Sequence, residues 1–101
     1  MYRFEFHLQV QMGRWRDFGA LVDELNAALA ERGLVPFQLW ELAVGRLNDA
    51  LMVADYESLA AYEREHDAMH ADPTCMGLWR RLTALTDGAP WTDLWWRPRG
   101  A

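Results

Sequence analysis

The stretch that decides the fold is YRFEFHLQV, residues 2–10. Apolar and polar side chains alternate along its whole length, which is the period of a β-strand with one face on a core. The apolar set is Tyr2, Phe4, Phe6, Leu8 and Val10, and the polar set is Arg3, Glu5, His7 and Gln9. We therefore predict a first strand whose two faces have different neighbours.

A helix is predicted after this strand. Apolar residues recur there at steps of three and four, as on the buried side of an amphipathic helix. They are Trp15, Phe18, Val22, Leu25 and Leu29. Gly33 is typical of a left-handed residue that ends a helix, and Pro36 prevents its continuation.

The remaining elements follow from turn and capping residues. We predict strands over 37–44 and 50–55, joined by a hairpin loop over 45–49. Ser58 is a suitable N-cap for a second helix, and Asp72 with Pro73 for a third. A last strand is predicted over 91–97, before Pro98.

The predicted order is β-α-β-β-α-α-β, which is that of an α+β, ferredoxin-like fold. Right-handed crossovers place the helices on one face of a single four-stranded antiparallel sheet. A chain of 101 residues is long enough for one domain of this kind, so we expect a single domain over 1–101.

The other face of this sheet would lack helices, yet it is not uniformly polar. The second predicted strand places Trp40, Leu42 and Val44 there. Monomers rarely expose such a patch, so we predict a homodimer whose sheets pack face to face. The interface would contain Arg3, Glu5, His7 and Trp40, with Arg3 paired to Glu5 of the other copy, because buried charges need partners. We expect His7 to serve this interface rather than catalysis.

Composition excludes several classes of function. The net charge is −5, and all ten basic residues are arginines spread along the chain, which argues against nucleic-acid binding. No apolar run is long enough to span a bilayer, and the N-terminus does not resemble a signal peptide, so we expect no membrane partner and a cytoplasmic location. Cys75 is the one cysteine, and we expect a small buried residue rather than a reactive thiol.

Three motifs resemble those of a known family. They are Gly45-Arg46-Leu47-Asn48, Tyr56-Glu57-Ser58-Leu59-Ala60 and Asp72-Pro73. Together with the element order, they are similar to the NIPSNAP branch of the dimeric α/β-barrel superfamily, although Tyr62 stands where that branch commonly has Arg. The resemblance implies the fold and the dimer. The superfamily includes cofactor-independent monooxygenases, polyketide cyclases, isomerases and haem-handling enzymes, so several functions stay open.

Candidate chemistry centres on Tyr62 and His66, one turn apart on the second predicted helix. An imidazole can transfer protons near neutral pH, and a phenol can donate to an oxyanion. We expect both to face a pocket between sheet and helices. Its expected lining of Phe6, Trp15, Phe18 and Trp79 suits a small aromatic or polyketide-like ligand.

The histidines also allow other interpretations. Glu63, His66 and His70 have the spacing of metal ligands on one helix, but His66 lies on the apolar stripe and no further ligand motif accompanies them. We therefore expect no metal and no cofactor. Haem ligation by His66 or His70 is one alternative, and a non-catalytic dimeric module that binds a ligand or another protein is a second.

Overall fold

The computed structural model describes residues 1–98. Residues 99–101, the end of the expected domain, lie outside the described part of the chain. The elements are β1 (Tyr2–Val10), α1 (Trp15–Glu31), β2 (Gln38–Glu41), β3 (Asp49–Tyr56), α2 (Leu59–Ala71), α3 (Pro73–Thr83) and β4 (Thr86–Trp96). This confirms the predicted α+β, ferredoxin-like order.

The four strands form one antiparallel sheet in the order β2-β3-β1-β4. β1 is central, with β3 on one side and β4 on the other, while β2 and β4 are the edges. Phe6 lies between Met52 and Thr92, and its neighbour His7 lies between Leu51 and Trp91. Because consecutive side chains point to opposite sides of a strand, these two rows belong to different faces.

The core lies between one sheet face, the covered face, and the helices. Phe4, Phe6, Leu8 and Val10 of β1 are buried there, as their alternation predicts. They pack against fully buried side chains of the helices, namely Phe18, Leu25, Leu29, Cys75 and Leu82. Burial of each large apolar side chain contributes about 1.5–3 kcal/mol.

The helix ends follow the predicted capping residues. Gly33 has a φ of +70°, which costs little without a Cβ, and the Leu34 N–H returns to the Leu29 carbonyl at 2.9 Å. The Ser58 hydroxyl accepts from the Ala61 N–H at 3.0 Å, and an Asp72 carboxylate oxygen accepts from the Cys75 N–H at 3.0 Å. α2 and α3 therefore begin where the sequence predicts.

The second strand is shorter than predicted: it ends at Glu41 rather than at residue 44. The Leu42 N–H makes a last bond to the Asp49 carbonyl at 2.9 Å, after which the chain turns through Gly45 and Asn48 with positive φ angles. Leu42 and Val44 therefore lie in the loop rather than on the sheet face.

The last strand begins five residues earlier than predicted, at Thr86, and ends at Trp96. Gly88 and Pro90, residues typical of turns, lie within the strand rather than before it. β4 is an edge strand, where proline is tolerated, and a register shift between His7 and Gln9 accommodates the irregular segment.

Candidate functional site

A cavity of about 270 Å³ lies between the covered face of the sheet and α2. Its walls come from every helix, from three strands and from the segment between α1 and β2, and they are mainly apolar and aromatic. They are formed by Phe4, Phe6, Leu29, Leu34, Val35, Phe37, Tyr56, Tyr62, Glu65, His66, Met69, His70, Trp79 and Thr92.

The cavity exists because α2 packs less tightly than its neighbours. Within α2, which the structure describes in full, Met69 is the buried residue, whereas α1 contributes six. The side of α2 that faces the sheet carries the rings of Tyr62 and His66 beside Met69. These rings leave space beneath the helix instead of filling it.

Four rings form a continuous row from the sheet to the outer end of the cavity. Tyr56 packs edge-on against Tyr62 at 5.5 Å between ring centroids, and Tyr62 lies 5.5 Å from His66. His66 in turn lies 4.1 Å from His70. Tyr62 also stacks on Phe4 at 6.1 Å, so contacts on both sides fix the position of its ring.

Burial favours the neutral forms of Tyr56, Tyr62 and His66. Desolvation, with a smaller contribution from the His70 charge, lowers the pKa of His66 and favours the neutral imidazole. Desolvation also raises the pKa of Tyr62, and it raises that of Tyr56 to about 12. At neutral pH the row therefore offers a proton acceptor in His66 and hydroxyl donors in both tyrosines.

Neither the Tyr62 hydroxyl nor the His66 ring makes a hydrogen bond to another group of residues 1–98. Other polar groups at the cavity already have structural partners. Glu65 accepts from the Val35 N–H at 2.7 Å, and the His70 ring contacts the His66 carbonyl at 2.8 Å. Tyr62 and His66 are therefore able to bond to a molecule in the cavity.

The structure brings four of the six expected pocket residues together, namely Phe6, Tyr62, His66 and Trp79. Trp15 and Phe18 do not line the cavity. They pack on each other at 6.1 Å in the first turn of α1, and Phe18 is fully buried in the core. An apolar stripe identifies the buried side of a helix, but it does not indicate which part of that side adjoins a cavity.

Sequence reasoning missed Tyr56, Phe37 and Glu65 as cavity residues. Tyr56 continues the alternation of β3 by one residue, which is a signal that could have placed it on the covered face. Phe37 and Glu65 are brought together by the segment after α1, and no local pattern predicts that proximity.

On the opposite sheet face, the outer face, Arg3 has an ion-pair partner that the sequence pattern does not predict. Arg3 bonds Asp55 of its own chain at 2.9 Å, because Asp55 lies directly across on β3. This hydrogen bond lowers the pKa of Asp55. Glu5 instead lies 3.2 Å from His7, which is 3.0 Å from Asp93. Trp40, Trp91 and Trp95 are each more than half exposed on this face.

Cys75 and the helical metal spacing have structural explanations. Cys75 is fully buried, and desolvation raises the pKa of its thiol, which disfavours the reactive thiolate. Within residues 1–98, the side chains that meet as possible metal ligands are Glu5, His7 and Asp93 rather than Glu63, His66 and His70. Among the same residues, no helix has the length and apolar character needed to cross a membrane.

Solved structures with the same fold cover nearly the whole chain. A NIPSNAP domain protein from Burkholderia xenovorans has a TM-score of 0.79 at 12% identity, with 100% of this chain and 98% of that chain covered. A NIPSNAP family protein from Agrobacterium tumefaciens has a TM-score of 0.77 at 15% identity, covering 99% and 88%. An antibiotic biosynthesis monooxygenase has a TM-score of 0.72 at 13% identity, covering 97% and 99%. These likenesses show the fold.

The family itself is shown by sequence. Among curated proteins no similar sequence was found. The family model of NIPSNAP, however, matches residues 7–87, from the second half of β1 to the start of β4. That range contains all three motifs whose resemblance the sequence suggested. The chain belongs to the NIPSNAP family.

Proposed function

We propose that this protein binds a small, flat and largely apolar molecule in the cavity beneath α2. The observation that supports this most directly is the combination of aromatic walls with the unbonded polar groups of Tyr62 and His66. Apolar walls with a few placed polar groups are typical of small-molecule sites.

The size of the cavity limits the ligand. Its volume of about 270 Å³ is near the lower end of the roughly 300–1,000 Å³ typical of ligand pockets. A molecule of one or two fused rings fits this range, and it could stack on the aromatic walls. A porphyrin is much larger than such a cavity, so the residues present do not fit haem despite the neighbouring histidines.

The chemistry that these groups support is proton transfer. A ligand with an acidic O–H, or a C–H beside a carbonyl, would lose its proton to the neutral His66 ring. The electron pair left on the ligand oxygen would accept a hydrogen bond from the Tyr62 hydroxyl. This first step is common to cofactor-independent monooxygenase, cyclase and isomerase reactions, and one solved structure of the same fold is described as an antibiotic biosynthesis monooxygenase.

Binding can be tested with 2-naphthol in a calorimetric titration. We expect saturable binding that weakens roughly two- to tenfold in Tyr62→Phe, because one hydrogen bond contributes about 0.5–1.5 kcal/mol. Tyr2→Phe is the matched control, since it removes a hydroxyl from a ring outside the cavity. Equal affinity in all three proteins, or no binding to the wild type, contradicts the proposed site.

Proton transfer can be tested separately by exchange of the α-protons of 2-tetralone in deuterated buffer, followed by NMR. We expect the wild-type protein and Tyr2→Phe to accelerate exchange, and His66→Ala to lose the acceleration. If 2-tetralone binds without accelerated exchange, the catalytic part of the proposal is wrong and the protein is a non-catalytic binding module.

We also propose that the protein forms a homodimer through the outer face. This is supported by Trp40, Trp91 and Trp95, whose exposed fractions are 58%, 53% and 59%. Together with the half-buried Leu51, which lies across from Trp40, these side chains form an apolar area that a second copy would cover. Covering a large apolar side chain contributes about 1.5–3 kcal/mol.

The dimer is tested by analytical ultracentrifugation at micromolar concentration. We expect the wild type to sediment as a dimer and Trp40→Glu as a folded monomer, because the new charge would be buried without a partner. Leu59→Glu is the matched control, since Leu59 is also an exposed apolar residue but begins α2 on the other side of the sheet. A monomeric wild type would contradict the proposal.

A further inference from the structure

Three potential metal ligands meet at the middle of the outer face. Glu5 and His7 are two residues apart on β1, so their side chains share that face, and Asp93 lies directly opposite Glu5 on β4. One ligand atom from each lies within 4.8 Å of the other two. The sheet register therefore creates a cluster of one nitrogen and two oxygen donors.

The spacing of these donors matches that of ligands around a small ion. His7 Nε2 is 3.2 Å from Glu5 Oε1 and 3.0 Å from Asp93 Oδ2. Ligand atoms about 2.1 Å from an octahedral or tetrahedral ion are about 3.0–3.4 Å apart. Both separations from His7 fall in this range, and the third, between Glu5 and Asp93, is within 4.8 Å.

Neighbouring tryptophans hold two of the ligands in position. The His7 ring stacks on Trp91 with centroids 4.6 Å apart and planes inclined by 4°, which fixes the ring plane. Trp95 Nε1 donates to Glu5 Oε1 at 2.9 Å. Bonds of this kind orient ligands in established metal sites. The side chains of Glu5, His7 and Asp93 are 18%, 26% and 39% exposed, which leaves access for an ion.

The charges of the cluster also favour a cation. Glu5 and Asp93 each bring a carboxylate oxygen close to His7 Nε2. In a neutral ring this nitrogen carries either a lone pair, which repels both oxygens, or one proton, which the two oxygens must share. A divalent ion can bond all three atoms together. Mixed nitrogen and oxygen donors suit transition metals such as Zn²⁺, Mn²⁺ or Co²⁺, whereas Ca²⁺ and Mg²⁺ prefer oxygen alone.

We propose that Glu5, His7 and Asp93 bind one divalent transition-metal ion on the outer face. Three protein ligands leave coordination positions open for water or a ligand oxygen, as in reactive rather than purely structural sites. The site is separate from the cavity beneath α2, because the two lie on opposite faces of the sheet. Its ligands all come from one protomer, so the set is complete without a second copy, although the proposed dimer would cover the same face.

The test is titration of the EDTA-treated protein with Co²⁺, followed by visible absorption, and with Zn²⁺, followed by calorimetry. We expect one ion per chain, with Co²⁺ displaced by Zn²⁺. His7→Gln and Asp93→Asn should each weaken binding by about tenfold or more, as loss of a ligand exceeds the effect of losing a supporting residue. Asp87→Asn should bind like the wild type, since Asp87 lies on the same strand and face but outside the cluster.

Circular dichroism shows whether each variant is folded. Because two ligands are replaced separately, the test remains decisive if one of the two variants does not fold. Equal affinity of the wild type, His7→Gln and Asp93→Asn would overturn the proposal. So would NMR evidence that both His7 ring nitrogens stay protonated with Zn²⁺ in excess, since the cluster would then be a hydrogen-bonded imidazolium. No outcome depends on 2-naphthol binding.

Discussion

The two faces of the sheet are built from the same strands but differ in what completes them. On the covered face, the β1 side chains from Phe4 to Val10 are buried by helices of the same chain. On the outer face, charged residues of β1 lie beside exposed tryptophans of β2 and β4. The covered face therefore stabilises one protomer, whereas the outer face is the one for which we propose association and ion binding.

The largest expected effect is a difference in the free energy of unfolding between substitutions at two neighbouring residues of β1 that lie on opposite faces. Leu8→Ala should lower the free energy of unfolding by about 2–5 kcal/mol, because it leaves a cavity in the core. Gln9→Ala should lower it by less than about 1 kcal/mol, because it removes one exposed hydrogen bond to the Leu47 carbonyl. Urea denaturation at a fixed protein concentration measures both. Similar losses would mean that the outer face also stabilises the protomer.

A smaller effect on the free energy of unfolding is expected at the N-cap of α2, the helix above the cavity. Ser58→Ala should lower the free energy of unfolding by about 1 kcal/mol, because the Ala61 N–H loses its capping acceptor. Ser58→Asn is the matched control, since asparagine is an equally good N-cap. Hydrogen exchange of the α2 amides would show whether the loss is local. Equal stability of the alanine and asparagine variants would contradict the role of the cap.

The smallest effect is expected on the outer face, at the exposed pair of Arg3 and Asp55. Asp55→Asn should cost about 0.2–1 kcal/mol at neutral pH. The folded-state pKa of Asp55 lies below its ordinary value of 3.8, so the unfolded chain binds the proton more readily. The pair therefore stabilises the protein above that value, and its contribution is lost as the pH falls through the folded pKa.

Acid-range urea denaturation tests this pH dependence. The wild type and Asp55→Asn should converge in stability as the pH is lowered. Asp87→Asn is the control, because Asp87 has no ion pair among residues 1–98. A difference between wild type and Asp55→Asn that persists unchanged into strong acid would exclude the ion pair as its cause.

Sequence patterns were sufficient for the order of the elements, because strand alternation and helix caps are local. The ends of β2 and β4 were wrong, since they depend on pairing with β3 and β1 rather than on local residues. For the same reason the ion pair of Arg3 with Asp55 was not predicted. Register between distant strands also brings Asp93 to His7, and no single-strand pattern contains that information.

The sequence pattern anticipated part of the cavity lining. Tyr62 and His66, one turn of helix apart, line one cavity with Phe6 and Trp79. Trp15 and Phe18 lie outside it, since an apolar stripe does not show where packing is complete. Whether rings fill a space or leave one depends on how far α2 stands from the sheet, which only the tertiary structure determines.

The edges of the sheet have a consequence for aggregation. β2 is only four residues long, and β4 contains Pro90, which offers no N–H to an incoming strand. Strand-by-strand growth into fibrils, which needs a long regular edge with free donors and acceptors, is thereby disfavoured on both sides. The proposed dimer through the outer face would therefore not extend into a polymer by strand pairing at the sheet edges.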